Sequence, residues 1–403
     1  MSKVEMDAAP RLASLAPTAS MIDFAAINGA QGLDRIAVEW RTLIEQIPSA
    51  RFFQFPEWHL ANLASMEPRP ERVWFVTARQ QGRLVGVLPL RQESRRIRGI
   101  GVRTLCTITH PHATLADFAF ACTSDGAELF RQFNRWIRQQ RTIVWDELAL
   151  EGIPDESAVA FAVRATPPML LVEELQGESA YLPTRGGAEQ ALAAVSGSFK
   201  RNLRRLARRA EQSAPLTYRV VRDDSGLDDA LEKFLDIEQS GWKGSDGTGS
   251  AIRLDPARQA FYQGLRRQFS RLGACRINLL EHGCHAVAAQ FCLMSGQTLN
   301  ILKIGFLESH AAFAPGNLVM ESTIEHCCSE PSIRTMSFVT NPPWAHLWKP
   351  QMEPVRRYRT YNGSARGLML YGLLTAKRWY EARKLPQGLS EAAPGATNEQ
   401  DQG

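Results

Sequence analysis

The 403-residue sequence has no apolar run near the ~18 residues that cross a bilayer. Seven cysteines are too few for a disulfide scaffold in a chain of this length. Cys-x-x-Cys and His-Glu-x-x-His are missing, and no acidic cluster flanks His110-Pro-His112 or His282-Gly-Cys-His285, so no metal site is expected. Gly-x-Ser-x-Gly, the P-loop and Gly-x-Gly-x-x-Gly are also missing, which argues against a hydrolase elbow and the common nucleotide cradles. The opening Met1–Asp7 mixes charges and leads into a broken Ala/Pro stretch, unlike a secretory leader. The expected compartment is therefore the cytoplasm.

Lysine is scarce as well: none occurs between Lys3 and Lys200. Arginine carries most of the positive charge. Six cations without an acid lie between Ser198 and Arg209, more than the net +5, so the rest of the chain is slightly acidic. One cationic helix on a near-neutral body excludes a general nucleic-acid coat, and no DNA partner is expected. At 44% hydrophobic and 22% charged, the composition is globular, with material for two or three domains.

Residues 1–20 and 386–403 read as disordered tails, rich in small and polar residues. Between them the chain divides into halves, 21–182 and 188–384, joined near Gly177–Gly187. Each half contains a predicted hairpin with Gly in its turn: 72–79 with 84–90, and 275–280 with 286–293. Predicted helices precede it (33–46 and 56–65; 227–240 and 256–272). A strand, a helix (128–140; 316–328) and a late strand follow. This is a duplicated α+β unit.

Four segments carry candidate chemistry. Leu299–Phe306 reads as a strand, followed by Ala314-Pro-Gly-Asn317 and a helix with a Met320/Ile324/Cys327/Cys328 stripe. Amides at such a helix start suit a phosphate; the plain alternative is Pro/Gly punctuation. Glu238 and Trp242 continue an apolar stripe of Leu231, Phe234 and Leu235. A carboxylate there either pairs with a cation such as Lys243 or gains basicity suited to accepting a proton. Arg201, Arg204, Arg205 and Arg208, just after Lys200, form a charged stripe beside Leu203, Leu206, Ala207 and Ala210; the plain alternative is a solvated face. That stripe suits cofactor phosphates, a polyanionic substrate or a membrane. The predicted helix 365–384 mixes Leu368, Tyr371, Leu374 and Tyr380 with basic residues; it closes the second domain or lies on an anionic surface. Ser245–Ser250 reads as a flexible loop, a candidate lid.

In Phe199-Lys-Arg-Asn-Leu-Arg-Arg205, Glu238-Gln-Ser-Gly-Trp-Lys-Gly244, the hairpin around Gly283, Lys303-Ile-Gly-Phe306 and Ala314-Pro-Gly-Asn317, the chain resembles GNAT-like acyltransferases of the cellulose-biosynthesis CelD/BcsL type. These are also called BioF2-like and are related to the FemABX peptidyltransferases. The resemblance covers most of 190–360. It implies tandem GNAT-like domains, each a mixed twisted sheet flanked by helices. It also implies acyl transfer from acetyl-CoA or another acyl-CoA to a sugar, a polysaccharide precursor or a related amine.

The splayed strand would put Lys303, Ile304, Gly305 and Phe306 beside the cofactor and Pro315, Gly316 and Asn317 at its pyrophosphate. Glu238, Trp242 and Lys243 become the catalytic candidates. Lys200, Arg201, Arg204, Arg205, Trp344 and Trp348 become substrate or anion contacts. Ser337, Thr340, Trp344 and Ala345 stand where the family commonly has Asp, Gly, Tyr and Lys, and the usual GNAT phosphate loop is not intact. The alternatives are an aminoacyl-tRNA-dependent FemABX-like transferase, with tRNA as partner, and a non-catalytic adaptor in envelope polysaccharide assembly. Peripheral contact with the inner membrane face is a further expectation.

Overall fold

The computed structural model describes residues 22–384, apart from Arg98, 122–124, Trp242, Ser245 and Asp246. The expected disordered tails, 1–20 and 386–403, and Trp242 lie outside the described residues.

The first half runs β1 (Ile22–Asn28), α1 (Gly29–Glu45), α2 (Pro56–Ser65), β2 (Val73–Gln80), β3 (Arg83–Ile97), β4 (Ile100–Cys106), β5 (Ala119–Phe120), α3 (Gly126–Gln139), β6 (Glu147–Pro154), α4 (Ala158–Ala165) and β7 (Val172–Pro183). The second runs α5 (Gly187–Ala191), α6 (Gly197–Glu211), β8 (Leu216–Val221), α7 (Asp224–Gln239), α8 (Pro256–Ser270), β9 (Cys275–His282), β10 (His285–Ser295), β11 (Thr298–Phe306), α9 (Pro315–Ser329), β12 (Thr335–Ser337), β13 (Gln351–Tyr361) and α10 (Ala365–Lys384).

The fold is α+β: one mixed sheet flanked by helices, with strand order β1-β2-β3-β4-β6-β13-β7-β12-β11-β10-β9-β8. Both predicted hairpins form, turning at Gly82 and Gly283, each with a positive φ that glycine takes without strain. Each half then adds an antiparallel strand and a three-residue parallel pair, β4 with β6 and β11 with β12.

The two last strands cross over. β13 lies between β6 and β7 of the first half, and β7 pairs with β12 of the second. The cluster Gly177–Gly187, read from sequence as a joint, therefore begins inside a central strand. Gly177 sits where the β7/β13 register slips, a common place for glycine in a strand.

A shared aromatic core ties the halves together. Trp58 on α2 meets Phe261 on α8 edge-on at 5.2 Å, and Phe52, Tyr262, Phe234 and Phe291 extend the same cluster. Gly264 lets α8 approach α2 at Ala61, since a Cβ there would come within 3.2 Å of the Ala61 methyl. The α10 helix packs Leu370 beside Tyr361, Val102 and Val172. No helix among the described residues is long and apolar enough to cross a membrane.

His59 is buried in the first half, stacked on Trp40 at 5.2 Å, with its Nε2 3.1 Å from the Phe53 carbonyl oxygen. Burial lowers its pKa from 6.5 to about 3, so the folded ring stays neutral. Below pH 6.5 the unfolded chain binds a proton that the folded chain refuses, so stability falls as pH drops toward 3, by at most ~1.4 kcal/mol per pH unit. Asp117, pushed up to about 7 by burial, acts in the opposite sense. In urea titrations across this window, His59→Gln is expected to flatten the acid loss relative to wild type. Parallel curves would remove His59 as its source.

Candidate active site

The site begins where β11 and β12 part. Their parallel pairing covers only Thr298–Asn300 against Thr335–Ser337. Beyond Ser337 the second chain turns away through Val339, whose φ of 65° is a genuine outlier for a β-branched residue. Phe338 N and Thr340 O still bond Ala180 on β7, so the turn holds this segment to its other neighbour. Pro342 and Pro343 then remove two donors and prevent the strand from resuming. Residues 301–306 of β11 thus keep β10 on one side and have no strand on the other among the described residues. Alternation aims the Ile304 and Phe306 backbone groups at the open side, because Leu307 N returns to Val287 on the β10 side.

The β10/β11 register also slips between Phe291–Lys303 and Cys292–Ile301. Leu302 is the extra residue of a bulge beside the opening.

A cavity of about 380 Å³ fills the gap. Ile304, Gly305 and Phe306 form one wall. The end of α7 (Ile237, Glu238, Ser240) with Lys243 forms a second, and Glu308, Ala311, Ala314, Gly316, Asn317 and Trp344 complete it. Gly305 is required by close approach: a Cβ there would lie 3.0 Å from Glu238 Cα. The Glu238 carboxylate is buried, accepting a 2.8 Å hydrogen bond from Ile252 N and lying 3.3 Å from Lys243 Nζ. Ser240 Oγ and Lys243 Nζ also stand 3.4 and 3.5 Å from the carbonyl oxygens of Phe306 and Ile304. Lys303 points elsewhere, into a smaller space with His112, Thr114 and Thr340. Burial and the neighbouring Lys243 charge lower its pKa.

The predicted residues therefore gather unevenly. Glu238, Lys243, Ile304, Gly305, Phe306, Gly316, Asn317 and Trp344 line one cavity. Trp348 does not: it is 1% exposed and packs edge-on against Phe199 at 5.3 Å, so its expected ligand contact is replaced by a core role. Lys200 donates to the Leu192 carbonyl at 3.1 Å. Arg201, Arg204 and Arg205 are exposed on α6, along a separate shallow depression, and form no ion pair among the described residues. The expected row of amides at Pro315–Asn317 is short. Pro315 has no N–H and Asn317 N bonds Ala314 O, which leaves Gly316. Ser240, Glu308 and the Val339 turn escaped sequence reasoning. Val339 carries no compositional signal, although the Pro342-Pro343 pair after it marks a strand end.

Residues 197–346 match the Acetyltransferase (GNAT) domain family. This segment is similar to a GNAT-fold acetyltransferase domain. The chain is similar to the crystal structure of FemX at 10% identity and a TM-score of 0.55, covering 84% of this chain and 98% of that one. It is also similar to a conserved protein of unknown function from Bacteroides thetaiotaomicron VPI-5482 at 10% identity and a TM-score of 0.51, covering 84% and 99%. Likeness at this identity speaks for the fold alone. No curated protein matches the chain.

Gly305→Ala tests the close approach between β11 and α7. The added methyl meets helix backbone rather than a movable side-chain tip. A loss of ~1–3 kcal/mol in denaturant unfolding is expected; unchanged stability would show that α7 moves aside freely.

Proposed function

We propose that the chain is an acyl-CoA-dependent N- or O-acyltransferase, with acetyl-CoA as the first donor to test. The acceptor is a sugar, a polysaccharide precursor or a related amine. The observation that carries this reading is the unpaired edge of β11 over a cavity. The outward N–H groups of Ile304 and Phe306 suit the amide spacing of a pantetheine arm added as a strand is, and the arm would share or displace the long contacts that Lys243 and Ser240 make to the two carbonyl oxygens. Such an arm would bring the thioester toward the Leu302 bulge. The repeated strand pattern of the two halves supports a tandem GNAT reading of the CelD/BcsL kind.

In the proposed reaction the acceptor nitrogen or oxygen attacks the thioester carbonyl and loses its proton. The C–S bond breaks, and the thiolate leaves and takes up a proton. Glu238 is the proton acceptor in this scheme. Lys243 holds the Glu238 carboxylate in place and puts a positive charge beside the cavity, where it would stabilise negative charge developing on the carbonyl oxygen. Trp344 forms a wall, and Gly316 N faces the donor's phosphates. No covalent enzyme intermediate is required.

The exposed arginines of α6, which form no ion pair among the described residues, favour a second reading, an aminoacyl-tRNA donor held by its phosphates. Binding of that kind weakens steeply with salt.

Calorimetry with acetyl-CoA is expected to show binding and a raised melting temperature. No heat and no thermal shift at millimolar ligand would overturn the donor assignment. Glu238→Gln keeps an acceptor for Ile252 N but loses the carboxylate. It is expected to lower kcat/KM about 100-fold or more with near-normal acetyl-CoA binding. Wild-type turnover in this variant would exclude Glu238 as the base.

A further inference from the structure

A second cavity, also of about 380 Å³, lies at the other end of β11. Its floor follows from strand register. Asn300 on β11 stands opposite Ser337 on β12, and Ser337 opposite Tyr181 on β7. One step along, Thr298 stands opposite Thr335. Ser179 on β7 stands opposite Glu353 on β13. Directly opposed residues share a face, and neighbours in a strand alternate. The intervening Leu299, Met336, Ala180 and Leu182 all enter the apolar core on the other side. One patch of the sheet, four strands wide, is therefore apolar below and hydroxyl-rich above.

A loop of the first half, 48–53, roofs this patch. Arg51 fastens the roof, donating from both terminal nitrogens to Glu353 at 2.9 and 2.7 Å. Glu156 and Arg334 stand at the rim.

The lining is largely unused by the protein. The side chains of Ser49, Ser179, Tyr181, Thr298, Arg334 and Thr335 have no hydrogen-bond or ion-pair partner among the described residues. Elsewhere Asn278, Gln290 and Thr323 bond one another, although Asn278 Oδ1 stays without a partner among the described residues. Ser179 is buried, Tyr181, Thr298 and Thr335 are half-buried, and Ser49 and Arg334 are exposed, so these groups converge on an open, polar-lined space suited to a polar guest.

We propose that this cavity binds a hydroxylated, sugar-like ligand carrying one anionic group. The hydroxyls of Ser179, Thr298 and Thr335 meet its hydroxyls. Tyr181 offers a ring face with a polar tip. Arg334 takes the anionic group, a carboxylate or a phosphate.

That this ligand is the acyl acceptor rests on the transferase reading; that the cavity binds it does not. Asn300 and the Leu302 bulge are two residues apart, about 7 Å along the strand. An acceptor seated here would therefore carry its reacting group beyond the ring that the pocket holds.

The test titrates glucuronate and glucose 6-phosphate into the full chain by calorimetry and ligand-observed NMR, with glucose as the uncharged control. At least one charged probe is expected to bind about tenfold more tightly than glucose, and Arg334→Ala is expected to erase that difference. Which probe binds decides between carboxylate and phosphate. Thr335→Val should weaken both. Failure of both probes at millimolar concentration, or equal binding by the Arg334 and Thr335 variants, overturns the proposal. Acetyl-CoA is titrated into the same variants. Unchanged acetyl-CoA binding with no sugar binding removes this site alone, whereas sugar binding without acetyl-CoA binding removes the donor assignment alone.

Discussion

The site depends on a three-residue strand that stops. β12 pairs with β11 only through Ser337. The strained Val339 turn then keeps the chain hydrogen-bonded to β7 rather than β11. A left-handed valine costs on the order of 1–3 kcal/mol and persists only where its surroundings over-determine it. Here they do: Phe338 N and Thr340 O hold Ala180 from both sides, and Val339 N bonds Ser337 Oγ at 3.0 Å. Extending β12 by two residues would zip the edge and fill the cavity. The strain and the opening are one feature.

The first half shows the closed alternative. There β4 also meets a parallel partner over three residues, but the contact continues. Thr107 N bonds Ala149 O, and Thr107 Oγ1 donates to Glu151 O while accepting from Glu151 N. The following loop then crosses over the partner strand, with Ala116 N on Gly152 O. The place equivalent to the open edge is covered by the chain itself. One half thus leaves a strand edge without a neighbouring strand among the described residues, and the other contributes the roof, part of the shared aromatic core and a strand.

Local features were legible in the sequence. The two Gly-turn hairpins, the paired helices before them and the strand ending at Phe306 follow from period and turn chemistry, which neighbours along the chain decide. Glu238 stood out because a carboxylate on an apolar stripe needs a partner, and Lys243 is that partner. The crossing of β7 and β13 was not legible. It is set by pairing between strands some 180 residues apart, and Gly177 signals a linker and a bulge equally well. Trp348 misled because an aromatic beside a cavity wall and an aromatic in the core look alike in sequence. The polar face beneath the 48–53 loop was hidden for another reason. Its residues come from four strands, and no single segment holds more than two of them.

The sheet's two faces explain how one strand borders both cavities. β11 crosses from a region where every second residue is polar, Thr298 and Asn300, to one where the edge itself is exposed, Ile304 to Phe306. The Leu302 bulge lies between them and resets the alternation. Without the bulge, Lys303 would fall on the same face as Leu299 and Ile301, which are buried against α9 and the core. With it, the Lys303 ammonium reaches the space beside His112, close enough to Lys243 for the two charges to lower its pKa further. A single extra residue therefore separates a polar floor from an open edge and stations a cation at their junction, a division that side-chain substitution in a regular strand would not produce.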